Sequence, residues 1–166
     1  MTDLPGKSGY RAPDAPEAGA LRGAHLALVV TRWNRDIVDA LVAGAGEGFR
    51  EWGLAPEQWQ THAVPGAFEV PLACEFLARS RSVDAIVTLG AVIRGDTPHF
   101  DFVAGECARG IQDVSLRHAL PIGFGVLTVD TVAQARERCA PGKANKGYEA
   151  ALAAMEMLQL GRATRV

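Results

Sequence analysis

From residue 25 onwards the chain alternates between two hydrophobic patterns. A nearly continuous apolar run covers 85–93, and shorter strand segments cover 25–31, 59–63 and 122–129. Between and after them, over 35–52, 67–79, 100–118, 131–139 and 146–160, lie helical segments, in which apolar residues recur at helical spacing. The run at 85–93 predicts a strand buried on both faces, and the helical spacing predicts helices with one face on a core. Their strict alternation predicts βαβ units, hence a parallel sheet covered by helices on both sides. Four such strands make an α/β fold, a three-layer α/β/α sandwich whose simplest strand order is flavodoxin-like. On the first helix Ile37, Leu41, Ala45, Phe49 and Trp52 form one stripe, and Tyr148, Leu152, Met155 and Leu158 do the same on the last. These stripes are core, and no chemistry is assigned to them.

Residues 1–23 break the pattern. Pro5, Pro13, Pro16 and four glycines are interspersed there with Asp3, Lys7, Arg11, Asp14 and Glu17. Such a segment buries little and predicts a flexible N-terminal arm ahead of a single domain over 24–166. With 166 residues, 48% of them apolar, the chain is long enough for one core and short for two. An open four-stranded sheet has bare edges, which invite pairing with another chain. The arm is therefore a candidate to add a strand to a neighbouring subunit, and oligomerisation is expected.

Charge narrows the partners. Seventeen basic and 19 acidic residues leave a net charge of -2, which creates no field for nucleic acid or an anionic membrane. No apolar run reaches bilayer length, and the charged start does not resemble a secretion signal, so a cytoplasmic protein is expected. The three cysteines, Cys74, Cys107 and Cys139, lie in apolar stretches, which predicts buried free thiols in a reducing compartment. No Cys or His spacing points to a metal.

Chemistry concentrates where the third apolar run ends, in Arg94-Gly95-Asp96-Thr97-Pro98-His99. Ligand crevices of open α/β sheets lie outside the carboxyl ends of the strands. Gly95 permits close backbone approach, Thr97 offers a hydroxyl and an N–H, and His99 is the side-chain type there suited to proton transfer. Taken alone, the segment reads better as a plain surface turn in which Thr97 or Asp96 caps the next helix. The other strand ends carry similar groups. Arg32-Trp33-Asn34 follows the first, where Trp33 either stacks on a planar heterocycle or packs onto the helix. Gly66, Ala67, Phe68 and Glu69 follow the second at a predicted helix start, which favours an anion or carbonyl oxygen; Glu69 complements the dipole or binds a polyol.

Together these motifs resemble the lumazine synthase family. The resemblance spans about residues 22–160 and rests on Arg32-Trp33-Asn34, Val64-Pro65-Gly66-Ala67-Phe68-Glu69-Val70-Pro71, residues 90–99, Pro121-Ile122-Gly123-Phe124-Gly125-Val126-Leu127-Thr128 and Asn145-Lys146-Gly147. It implies condensation of 5-amino-6-ribitylaminouracil with 3,4-dihydroxy-2-butanone 4-phosphate to 6,7-dimethyl-8-ribityllumazine, the penultimate step of riboflavin biosynthesis. It also implies a transferase assembled as homopentamers, which in some members close into an icosahedral shell, with active sites shared between adjacent subunits.

By that resemblance Trp33, with Asn34 beside it, faces the pyrimidine ring, and Gly66, Ala67, Phe68 and Glu69 hold the ribityl chain. Ala91, Val92 and Ile93 meet the uracil edge. Gly95, Asp96 and Thr97 form the phosphate turn, Asp96 through its N–H alone because its carboxylate would repel the anion. Arg138 of the neighbouring subunit completes that site with its donor fork. Phe124 and Lys146 are likewise contributed by the neighbour; Lys146 alternatively serves its own helix start, where a cation is unfavourable. His99 is the proton shuttle. The reaction moves protons rather than electrons, so no metal or redox cofactor is implied. Arg94 contacts phosphate or forms a salt bridge within the turn, and stands outside the set. His25, His62 and His118 are given structural roles. Two rival readings are a non-catalytic flavin or ribityl-ligand binder and a shell-forming protein. The short linker over 140–144 leans by family analogy towards a shell.

Overall fold

The computed structural model describes residues 11–164. Four strands, β1 (Leu26–Thr31), β2 (Trp59–Val64), β3 (Ala85–Ile93) and β4 (Ile122–Val129), form one sheet in the order β2-β1-β3-β4 with every pair parallel. Helices α1 (Arg35–Glu51), α2 (Val70–Ser80), α3 (His99–His118), α4 (Val132–Cys139) and α5 (Lys146–Thr164) alternate with them along the chain. This is the flavodoxin-like α/β/α sandwich that the hydrophobic pattern predicts. β2 and β4 are the sheet edges.

The two sheet faces carry separate cores. Leu26, Leu28 and Val30 of β1 point to one side, where α1, α4 and α5 supply Leu41, Phe49, Ala135, Tyr148 and Met155. Ala27 and Val29 point to the other, where α2 and α3 supply Val70, Cys74, Cys107 and Ile111. The alternation along a single strand splits an unbroken apolar run between two layers. Both predicted helical stripes lie in the first core, all nine residues buried. The three cysteines are free and buried, as their apolar settings imply.

Helix boundaries differ from the hydrophobic pattern at ends where local chemistry decides. Before α2 the chain makes a single 3-10 turn (Ala67–Glu69), and the α-helical pattern begins only at Val70, with Pro71 in the first turn where its missing N–H is harmless. α3 begins at His99 behind Pro98, so neither Asp96 nor Thr97 is its N-cap residue; Thr97 Oγ1 instead accepts a long 3.4 Å bond from the His99 N–H. α5 runs on to Thr164. Asn145 precedes it, and its Oδ1 accepts from the Gly147 and Tyr148 N–H groups at 2.8 and 3.2 Å.

The described part of the N-terminal segment consists of coil over 11–17 and turns over 18–23. Leu21 within it is buried in the first core, and the Leu21 and Ala24 carbonyls accept bonds from the Gln58 side chain. Residues 1–10, where the arm begins, lie outside the described residues. Among the described residues no helix is long and apolar enough to cross a membrane.

Candidate active site

In the sheet, the chain runs from β1 outward to β2 and then crosses back to place β3 on the other side of β1. The carboxyl ends of β1 and β3 therefore flank the point where the connections diverge, and a crevice opens there. It is a pocket of about 650 Å³. Three strand ends and one helix build it: Thr31, Trp33 and Asn34 after β1, Gly66, Ala67, Phe68 and Glu69 after β2, Ala91, Val92 and Ile93 at the end of β3, then Gly95, Thr97, His99 and the first turns of α3.

Each part is held by local chemistry. Asn34 adopts the left-handed conformation (φ 55°), which Asn tolerates better than most residues, and turns the chain sharply into α1. Its Nδ2 donates to the Ala91 carbonyl at 3.1 Å, locking the end of β1 to the end of β3. Trp33, next to it, is 70% exposed, so it does not pack onto the helix and presents a bare indole face instead. Gly66 is extended and makes room rather than a turn. A Cβ there would lie 3.3 Å from both Glu69 Oε2 and Trp33 Cδ1, so indole and carboxylate converge over a backbone that must stay bare.

Beyond β3, the segment with Gly95, Asp96 and Thr97 is exposed, and the space where a Cβ of Gly95 would stand is open. Arg94 anchors it. Its Nε donates to Asp130 Oδ1 at 2.8 Å, Nη1 to Asp101 Oδ1 at 3.3 Å, and the guanidinium lies 4.2 Å above the Phe100 ring. Of its two sequence readings, the structure has the salt bridge. The Asp130 hydrogen bond, with Asp101 beside it, pushes the guanidinium further into its charged form.

The pocket brings together Trp33, Asn34, Gly66, Ala67, Phe68, Glu69, Ala91, Val92, Ile93, Gly95, Thr97 and His99. Asp96, Phe124, Arg138 and Lys146 do not line it. Phe124 stands exposed on β4. Arg138, on α4, donates to its own helix through Gln134 O at 3.0 Å and keeps about a third of its side chain exposed. Lys146 lies 2.7 Å from Glu149, which neutralises a cation at an unfavourable helix start.

Sequence reasoning missed four lining residues, Thr31, Phe100, Phe102 and Val103. For two of them a signal existed: with α3 beginning at His99, positions 102 and 103 fall on the histidine's own helix face. Thr31 gave none, being one more residue of an apolar run.

A comparison with protein families matches residues 23–162 to 6,7-dimethyl-8-ribityllumazine synthase. The chain belongs to this family. The match covers all four strands, the first four helices, α5 up to residue 162 and every residue of the pocket. Lumazine synthases are enzymes acting on small molecules, and membership accounts for a pocket at the strand ends with an aromatic face on one side and an open glycine turn on the other. Among the described residues no group of three or more His, Cys, Asp or Glu side chains is placed to hold a metal.

Proposed function

We propose that this protein is a transferase that condenses 5-amino-6-ribitylaminouracil with 3,4-dihydroxy-2-butanone 4-phosphate, giving 6,7-dimethyl-8-ribityllumazine with loss of water and inorganic phosphate. The observation that carries the proposal is the convergence of Trp33, Glu69, the Ala91-Val92-Ile93 backbone, Thr97 and His99 on one pocket in a chain of this family. The Trp33 face takes the pyrimidine ring, the segment with Gly66 and Glu69 takes the ribityl chain, and the end of β3 reads the heterocycle edge. The phosphate sits on the turn of Gly95, Asp96 and Thr97, reached through backbone N–H groups. The 5-amino nitrogen attacks the ketone to form an imine with loss of water, elimination of phosphate leaves an enol that tautomerises to a second carbonyl, and the ribitylamino nitrogen closes the ring on that carbonyl with loss of a second water. His99 moves the protons. Holding two substrates in register supplies much of the rate.

Arg94, the arginine beside the phosphate turn, is engaged by two carboxylates. Arg138 of an adjacent subunit completes the phosphate site, with Phe124 and Lys146 of the same neighbour closing the pocket. Exposed apolar side chains support such an assembly: Phe68 in the 3-10 turn and Leu72 and Phe76 on α2 follow one another every four residues, and Phe102 stands exposed at the pocket. Pentamers are the proposed unit, with a shell of pentamers permitted by the short segment over 140–144, and the N-terminal arm pairing with the neighbour's sheet. Three buried free thiols suit a reducing cytoplasm.

The test is absorbance of the lumazine chromophore in a mixture of both substrates, measured above the uncatalysed background, with Arg138→Ala alongside. Acceleration that falls sharply in the variant supports both the reaction and the shared phosphate site. No acceleration from a folded oligomer would leave the protein a ribityl-ligand binder or shell protein.

A further inference from the structure

Among the described residues, one buried side-chain oxygen or nitrogen lacks a hydrogen-bond partner: the hydroxyl of Thr31. The other buried polar side chains are satisfied. Thr88 donates to the Gly123 carbonyl at 3.0 Å, and the Asn145 amide donates to Ala40 and Cys139 carbonyls while accepting from two N–H groups. Thr31 is 4% exposed, ends β1 and lines the pocket. Side-chain alternation puts it on the sheet face of Ala27 and Val29, and register places it beside Val64. The protein side of its environment is therefore apolar. On β3, Gly90 leaves the space it occupies: a Cβ there would lie 2.8 Å from Thr31 Oγ1 and 2.9 Å from its Cγ2.

An unpaired buried hydroxyl costs stability that the isosteric valine would not. Valine also suits a buried strand at least as well as threonine. The fold alone thus gives no reason for the hydroxyl, and the one polar-capable neighbour it has is the pocket. We infer that the Thr31 hydroxyl is a ligand-binding group that hydrogen-bonds the polyol arm of the pyrimidine substrate.

The choice of the arm follows from chemistry and place. A hydroxyl both donates and accepts, which matches an alcohol whose own role is adjustable, whereas a phosphate offers acceptors alone. Thr31 pairs with Val64, two residues before Gly66, so it lies on the side of the pocket walled by the segment with Ala67 and Glu69. Oγ1 and Cγ2 both face Gly90, and rotation about χ1 to the third staggered position is what turns the oxygen away from that glycine. The inference rests on the synthase reading above, of which it names one more contact.

Thr31→Val and Thr31→Ser, in the assembled protein, test it. Calorimetric Kd values are measured for the ribityl-bearing pyrimidine and for the same pyrimidine without the ribityl arm, together with KM, kcat and Tm. Thr31→Val is expected to weaken the ribityl compound about tenfold and raise its KM alike, with kcat retained. The armless compound should bind as in the wild type, Tm should hold or rise, and Thr31→Ser should keep ribityl affinity within about twofold. Unchanged ribityl affinity in Thr31→Val overturns the inference, and so does an equal loss for both compounds. An active wild type beside an indifferent variant sinks the inference alone. A wild type that neither turns over the two substrates nor binds the ribityl compound sinks the synthase reading with it.

Discussion

Trp33 and His99 are exposed residues lining the pocket, and the roles proposed for them are therefore separable from stability. Trp33→Ala removes an exposed indole, so folding stability should change by about 0.5 kcal/mol or less. The loss of a stacking face should nevertheless raise KM for the pyrimidine about tenfold. Steady-state kinetics beside thermal unfolding separate the two effects; a large drop in Tm would mean that the indole packs in the assembly rather than on substrate. His99→Ala removes the proposed proton carrier while leaving the groups proposed to hold the two substrates. We expect kcat to fall about a hundredfold with turnover still above the uncatalysed rate. A folded, assembled variant indistinguishable from background would contradict this.

At the level of elements, two contacts set how the helices sit on the sheet. α1 and α5 approach so closely that a Cβ on Gly147 would run into the Leu41 carbonyl and one on Gly44 into the Asn145 amide. Asn145 fills that junction, donating to the Ala40 and Cys139 carbonyls at 3.2 and 2.7 Å while capping α5. Asn145→Ala should therefore destabilise the protein by about 3 kcal/mol, seen as a lowered Tm, through the lost cap and the carbonyls left unpaired. On the opposite face Glu75 of α2 ties to Arg79 at 2.7 Å, and to His118 and Arg117 of α3 at 2.9 and 3.4 Å. Hydrogen bonds from Arg79, and next from His118, hold its carboxyl below the usual carboxylate range. A lowered folded-state pKa stabilises above the unfolded value of 4.5 and is lost as pH falls through the folded one. Glu75→Gln should thus lower Tm near neutrality and converge with the wild type at acid pH. Parallel Tm curves across that range would show that the carboxylate contributes nothing by its charge.

For the whole molecule, the consequence of a shared site is complementation. Trp33 lines the pocket of its own subunit, whereas Arg138 is proposed to serve the neighbour's. Trp33→Ala and Arg138→Ala subunits, each impaired alone, should regain part of the wild-type rate when unfolded together and reassembled, because some interfaces then unite an intact Trp33 with an intact Arg138. Mixtures no faster than the sum of their parts would place both groups in one subunit. The stripe of Phe68, Leu72 and Phe76 is the surface expected to hold the assembly. Phe76→Glu should reduce particle size in light scattering and lower activity in step, since a single chain lacks the neighbour's cation. Retained activity in a monomer would refute the shared site.

The order of strands and helices, the two buried stripes and the free thiols were determined by the sequence itself, because hydrophobic periodicity is a local record of which face meets a core. The crevice was legible too: strand ends are where open α/β sheets bind, and Trp33, Glu69, Thr97 and His99 stand directly after apolar runs. Tertiary structure alone decided what depends on distant partners. Arg94 meets Asp130 and Asp101, Asn34 meets Ala91, and the α2 pattern waits for a 3-10 turn to finish. Thr31 is the sharpest case, since a threonine ending an apolar strand looks like any other strand residue. Only the packing of Gly90 against it, and the absence of any partner within reach, separates a structural hydroxyl from one left for a ligand.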